Sequence, residues 1–275
     1  MHSVRNGAIP QRKQMGMILV AQVSDTHFDL GPRNVERAER VMAYLADLRR
    51  RPDAILVTGD VTDSGKPDQY AEARIALQAD IPVYALPGNH DDRGAFREVL
   101  LGLPSSAEPI NHAHRVGPLT VVLLDSSIPG EPSGHLTDDT YDWLRGVLAD
   151  APADDPILLA LHHPPAHLYS PVVDEIALAD PGRLAELVAA DDRILAVLTG
   201  HAHSAATTTF AGKPLLVAPS TASVLGGEWE LALPDRVMDY APDPAVALHV
   251  IDENHALTTH FRSVPMGGWI GVAPY

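Results

Sequence analysis

The sequence predicts an α/β fold, a four-layer α-β-β-α sandwich of two mixed sheets flanked by helices. Three features carry that expectation. Short continuous apolar runs recur at residues 17–23, 54–58, 82–86, 119–124, 157–161 and 194–199, a pattern that suits strands buried on both faces. Helix-sized segments separate most of these runs. After His203, alternating stretches flank hairpin signals at 205–210 with 215–218 and at 245–251 with 256–263, which suggests a second sheet.

Between the first two runs, Val35, Ala38, Val41, Met42, Leu45 and Leu48 recur at helical spacing, with Asn34 as the expected N-cap and residues 49–51 completing the last turn. Further helices are expected at 67–77, 92–100, 137–149 and 181–189. Neither half of the chain shows a linker, an internal repeat or a low-complexity tract, so one domain is expected over residues 15–263. Residues 1–14 are polar and contain Pro and Gly, and they are expected to be a disordered leader or the product of an upstream start. A tail, 264–275, follows the domain. The Gly-, Pro- and acid-rich segment 220–244 is expected to be a long loop serving as a lid or as the contact of a homodimer.

Composition narrows the function. The 275 residues are 45% hydrophobic and 20% charged, ordinary for a globular protein, and no apolar stretch approaches the roughly 18 to 20 residues of a membrane span. Arg5, Arg12 and Lys13 precede an apolar run, as in a secretory signal, but that run is short and flows into Ser24-Asp25-Thr26-His27. With no cysteine, any metal must be held by N and O donors, and a cytoplasmic location is expected. A formal charge of −16 disfavours a nucleic-acid polymer as partner, because phosphate backbones are bound by clustered Lys and Arg. Small substrates are expected instead.

Five apolar runs end in metal-ligand residue types: Asp25 with His27, Asp60, Asn89 with His90, His162 with His163, and His201 with His203. The carboxyl ends of strands in open α/β sheets converge on the binding crevice, so these distant residues are expected to meet there. One Asp-x-His or His-x-His is a weak signal; five so placed are a strong one. If these segments are extended, alternate residues point to the same side, so Asp25 and His27 reach one metal while His201 and His203 serve adjacent metals. Gly59 and Gly200 precede ligands, where a missing Cβ permits tight turns. Mixed carboxylate, imidazole and amide donors suit Mn, Fe, Co or Zn better than Ca or Mg.

The ordered series Asp25-x-His27, Gly59-Asp60, Gly88-Asn89-His90-Asp91, His162-x-Pro164 and Gly200-His201-x-His203 resembles the signature of calcineurin-like metallophosphoesterases over about residues 17–218. Within that superfamily, Ser24-Asp25-Thr26-His27, Thr58-Gly59-Asp60-Val61-Thr62-Asp63 and His162-His163-Pro164-Pro165 are most similar to bacterial class III cyclic-nucleotide phosphodiesterases and related glycerophosphodiesterases. The resemblance implies that Asp25, His27, Asp60 and His203 surround one metal and that Asp60, Asn89, His162 and His201 surround the other, with Asp60 bridging. The family's His-x-Pro pattern selects His162 over His163. His90 resembles the family's non-ligand histidine and is expected to act on phosphoryl oxygens or on the leaving group.

Two divalent cations, two carboxylates and a hydroxide sum to about +1, which attracts a monoanionic phosphodiester. The implied reaction is in-line attack on phosphorus by a metal-activated hydroxide. The expected substrates are 3′,5′- or 2′,3′-cyclic nucleotides. Glycerophosphodiesters and phosphomonoesters are the alternative substrates within the superfamily, and the same fold used as a non-catalytic metal-binding regulatory scaffold is the alternative of another class. Asp63 is expected to shape the turn or cap the helix before Pro67, with a part in the site as the alternative. Asp91 and Arg93 are expected as solvated loop residues or as substrate contacts, and His112 and His114 as structural residues on an edge strand. Proximity makes His167 and Tyr169 candidates for the pocket wall. His2, His135, His249, His255 and His260 gain no role from spacing.

Overall fold

The computed structural model describes residues 16–230 and 238–267. The leader at 1–14, residues 231–237 of the expected loop and residues 268–275 of the tail lie outside the described residues. In chain order the main elements are β1 (Ile18–Val23), α1 (Pro32–Asp47), β2 (Ala54–Thr58), α2 (Pro67–Ala76), β3 (Val83–Leu86), α3 (Arg93–Ala95, widening into a π-helical turn over Phe96–Leu100), β4 (His112–Val116) and β5 (Leu119–Leu124). There follow α4 (Asp138–Asp150), β6 (Ile157–Leu161), α5 (Gly182–Ala190), β7 (Ile194–Thr199), β8 (Ala206–Phe210), β9 (Lys213–Val217), β10 (Val224–Leu225), β11 (Met238–Asp239), β12 (Ala245–Ile251) and β13 (Leu257–Ser263).

Every predicted apolar run is a strand. They divide between a five-stranded sheet of order β13-β12-β1-β2-β3 and a six-stranded sheet of order β4-β5-β6-β7-β9-β8. Both are mixed: β1, β2 and β3 run parallel with β12 antiparallel to β1, while β5, β6, β7 and β9 run parallel with β4 and β8 antiparallel at the edges. The two C-terminal hairpins therefore do not build a second sheet of their own. One extends each sheet.

The alternation of side chains along the strands creates three buried layers. Ala21, Val23 and Val57 pack under helix residues Val41, Leu45 and Tyr70. On the far side Val122, Leu159 and Val197 pack against Leu144, Leu184 and Val188. Between the sheets lie Val20, Leu56 and Leu86 with Leu123, Leu158 and Leu198. At about 1.5 to 3 kcal/mol for each fully buried large side chain, these layers hold the strand ends rigidly in place.

Three local expectations change. Helix α1 begins at Pro32, whose fixed φ suits the first helical position, and is capped by Gly31. Asn34 is buried inside it and donates through Nδ2 to His27 O at 2.7 Å, and residues 49–51 lie beyond its end. In segment 220–244, Val224–Leu225 pairs with Met238–Asp239 as a short antiparallel ribbon rather than a plain loop. Past residue 263, Val264 is buried and donates to Pro244 O at 2.7 Å, so domain packing extends into the first residues of the tail. Among the described residues no helix is long and apolar enough to cross a membrane.

Candidate metal centre

Asp25 and His27 follow β1, Asp60 follows β2, Asn89 follows β3, His162 follows β6, and His201 and His203 follow β7. The loops are not extended. Asp25, His27, Asp60, His201 and His203 all have positive φ, between 44° and 68°, so left-handed turns, not strand alternation, aim these side chains. Such backbone costs on the order of 1 kcal/mol or more per non-glycine residue and concentrates at functional sites. Glycines make room for it. A Cβ on Gly59, itself at φ +90°, would lie 2.3 Å from His162 Nδ1, and one on Gly88 would lie 2.2 Å from Asp60 Oδ1.

Asp25, His27, Asp60 and His203 bring their donor atoms within 4.8 Å of one another, all buried. His27 Nε2 and His203 Nε2 face each other at 3.2 Å. His162 Nε2 and His201 Nδ1 do the same at 3.2 Å. Asp60 stands between the pairs, with Oδ2 3.5 Å from His27 Nε2 and Oδ1 3.4 Å from His162 Nε2. Asn89 Oδ1 is buried beside them without a hydrogen-bond partner. A buried amide oxygen left unpaired costs roughly 1 to 3 kcal/mol unless a ligand uses it, so the donor set fits a cation.

The two adjacent histidines separate cleanly. His162 Nδ1–H donates to Thr58 O at 2.8 Å, leaving its Nε2 lone pair for the site. His163 uses both ring nitrogens elsewhere, with Ser126 Oγ at 2.8 Å and Pro132 O at 3.2 Å. A ring nitrogen of His163 nevertheless lies within 4.8 Å of donor atoms of His162 and His201, so what separates the two histidines is their hydrogen-bond partners.

Burial opposes charge throughout this site, and specific neighbours decide the outcome. Asp60 is pushed up by burial but held well below the usual carboxylate range by His162 and His27. Burial raises Asp25 to about 6, and the Asp60 charge reinforces the rise. His162 overcomes its burial through Asp60 and rises to about 9. Burial and the charge of His162 lower His201 to about 3.

Several residues have roles that spacing did not show. Asp91 is not a solvated loop residue: its carboxylate accepts from Val61 N, Thr62 N, Thr62 Oγ1, Tyr70 Oη and Gly88 N at 2.9 to 3.1 Å, tying the Asp60 loop to the Asn89 loop. Arg93 is buried and paired with Asp125 at 2.8 Å. Asp63 does more than shape a turn, since its Oδ1 lies 3.4 Å from His27 Nδ1 and its carbonyl accepts from His90 Nδ1 at 2.8 Å. Ser223 Oγ pairs with His203 Nδ1 at 2.9 Å. His112 and His114 lie on edge strand β4, where His112 Nε2 pairs with Ala85 O at 2.9 Å and His114 stacks on Tyr84. His167 and Tyr169 stay outside the cavity described below and are exposed. None of these partnerships has a fixed sequence offset, so the periodicity of the chain carried no signal for them.

With this geometry in view, the profile of the calcineurin-like phosphoesterase family matches residues 18–205, which hold every candidate ligand. The chain belongs to the calcineurin-like phosphoesterase family. This makes it a phosphoric ester hydrolase, and its clustered Asp and His side chains are able to hold metal. It is 38% identical over 231 residues to a probable cyclic nucleotide phosphodiesterase of Rhodococcus erythropolis, covering 80% of this chain and 74% of that protein. It is 34% identical over 220 residues to the glycerophosphodiester phosphodiesterase GpdQ of Enterobacter lignolyticus, covering 74% and 77%. The purple acid phosphatase PPD1 of yellow lupin shares the fold at a TM-score of 0.67 and 14% identity, over 91% of this chain and 52% of the lupin chain.

In this family member a cavity of about 600 Å³ opens over the cluster. Its floor carries His27, Asp60, Asn89, His90, His201 and His203. Val172, Val173, Ile176, Leu225 and Met238 form an apolar wall, with the exposed Tyr240 at the rim.

Proposed function

We propose that this chain is a two-metal phosphodiesterase acting on small phosphodiesters, cyclic nucleotides first and glycerophosphodiesters second. The observation that carries the reading is the Asp60 carboxylate, whose two oxygens face imidazoles of different clusters. In this reading Asp25, His27, Asp60 and His203 hold one metal, and Asp60, Asn89, His162 and His201 hold the other. Manganese, iron, cobalt and zinc all suit such donors. When bound, the metals neutralise phosphate charge and acidify a water to a pKa near 7.

The protein's own groups do the positioning. Asp63, Thr58 and Ser223 engage one ring nitrogen each of His27, His162 and His203, which aims the other nitrogen at the centre. Because His90 Nδ1 is paired with the Asp63 carbonyl, Nε2 is the atom His90 offers to a phosphoryl or leaving oxygen. The cavity sets apolar side chains that suit a nucleoside beside polar ones, Asp29, Arg33 and Asp63 among them, that suit the hydroxyls of either diester.

The test is turnover of 3′,5′- and 2′,3′-cyclic nucleotides, glycerophosphodiesters and monoesters with each candidate metal, alongside elemental analysis. Two metals per chain are expected, with hydrolysis lost on chelation and restored by Mn, Co, Fe or Zn. Full activity in a metal-free preparation, or turnover of monoesters alone, would overturn the reading.

A further inference from the structure

Gln22, Ser24, Thr58 and His249 are fully buried in the layer between the two sheets. Other positions on the same strands in this layer are apolar: Val20, Leu56 and Ile251. Stability alone does not ask for polar groups there, because apolar replacement of both partners of a buried hydrogen bond is often nearly neutral. The four are joined in a chain that ends at the site.

His249 Nδ1 lies 2.8 Å from Thr259 Oγ1, and its Nε2 lies 3.0 Å from Gln22 Oε1. An amide oxygen only accepts, so Nε2 carries the hydrogen and Nδ1 accepts from the threonine. The Gln22 amide must then turn its nitrogen to Thr58 Oγ1 at 2.9 Å and to Thr199 O, on the other sheet, at 3.0 Å. Thr58 Oγ1 passes its hydrogen to Ser24 Oγ at 2.9 Å, with the Val23 carbonyl at 3.5 Å a longer alternative. Ser24 Oγ donates to Thr58 O at 3.1 Å, and that carbonyl also accepts from His162 Nδ1 at 2.8 Å. Donors and acceptors alternate along one direction, from β13 through β12 and β1 to β2. Burial keeps His249 neutral at physiological pH, so its two nitrogens stay distinct.

We propose that His249 and Gln22 are positioning residues of the centre, acting through Thr58 and Ser24 to hold the His162 imidazole with its Nε2 lone pair aimed past Asp60. This rests on the reading of His162 as a metal ligand. The chain spans four strands, and Gln22 ties both sheets together at the point where their loops meet. The site is thereby coupled to the packing of the whole sandwich rather than to one loop.

Cobalt titration into the metal-free full-length protein tests this, with the visible absorption of each binding step as the readout and thermal unfolding measured in parallel. Wild type is compared with His249→Leu, Thr58→Val and His249→Gln. Thr58→Val is expected to weaken one cobalt step by about tenfold, the lower end of the effect of an outer partner on a ligand histidine, and to shift the absorption of that step alone. His249→Leu is expected to act in the same direction to a smaller extent. His249→Gln, whose side-chain amide can still donate to Gln22, should restore wild-type binding and spectrum.

Equal cobalt affinities and spectra with only a lowered unfolding temperature would reduce the chain to a structural seam and overturn the proposal. So would equal weakening of both steps. If His249→Leu does not fold, Thr58→Val and His249→Gln still decide between these results. Wild type that takes up no cobalt would sink the two-metal reading itself, and this proposal with it.

Discussion

Five donors from two loops and one helix converge on the Asp91 carboxylate, three of them backbone N–H groups. Asp91→Ala would leave those groups buried and unpaired, so a stability loss of about 3 kcal/mol or more is expected in urea unfolding. A loss within experimental error would mean the loops are held by other contacts. Asp60 and Asp63 sit three residues apart but differ in kind. Asp60→Ala should abolish metal binding, because it removes the carboxylate between the clusters. Asp63→Ala should retain metal and lower activity by about 10- to 100-fold, since it frees the far side of His27. Similar metal loss in both variants would count against the bridging role. His90 is exposed, stands edge-on to His27 at 4.7 Å, and offers Nε2 outward. His90→Ala should keep metal and fold but lower kcat. If His90 protonates the leaving oxygen, the loss should be larger for a poor alkoxide leaving group than for nitrophenolate, within the roughly 100- to 10,000-fold range of general acid catalysis. Equal losses would assign it to the phosphoryl oxygens instead.

At the scale of elements, the strands supply rigidity and the turns that follow them supply aim. A candidate ligand at positive φ needs an uncrowded neighbour, and the glycines beside Asp60 and His201 provide it: a Cβ on Gly200 would lie 2.0 Å from Ser24 Oγ and 2.8 Å from Thr58 O. Gly88→Ala is therefore expected to disrupt the centre, because its Cβ would sit 2.4 Å from Asp60 N and 2.8 Å from His162 Nε2. The control is Gly146→Ala, in the middle of α4 with nothing within 4 Å of the added Cβ. It should be stabilising by about 0.5 to 1 kcal/mol, as alanine is in a helix interior. Metal content and unfolding free energy measured on both variants check the pair, and a Gly88→Ala protein with full metal content would show that the loops yield more than the packing suggests.

At the scale of the whole molecule, the layer between the sheets holds a neutral histidine, and this sets a pH limit. His249 lies fully buried, and burial pushes it from 6.5 to about 3. The unfolded chain takes up a proton below about pH 6.5 while the folded chain does not, so unfolding binds protons and stability falls as the pH drops through that window. The contribution should approach about 1.4 kcal/mol per pH unit. His249→Gln has no titrating group there, so wild type should lose stability relative to this variant between pH 6 and pH 4, measured by urea unfolding at each pH within roughly the window set by the two pKa values. A constant difference across that range would show that His249 gains its proton without unfolding.

The sequence by itself determined the elements and the candidate ligand types. Continuous apolar runs marked the strands, because a strand buried on both faces has no polar alternative, and the Asp, Asn and His residues at their ends marked the crevice, because parallel strands bring their carboxyl ends together. Tertiary structure decided what has no fixed spacing. Left-handed turns replaced the extended segments that alternation suggested, since φ depends on what the neighbouring loops leave room for. His162 and His163 differ through carbonyl and hydroxyl partners at Thr58, Ser126 and Pro132, from three separate parts of the chain. Asp91, Asp63 and His249 took roles through contacts 10 to 30 or more residues away in sequence. Hydrogen bonds of that kind are satisfied by geometry in space, and residue order records only which groups are available to make them.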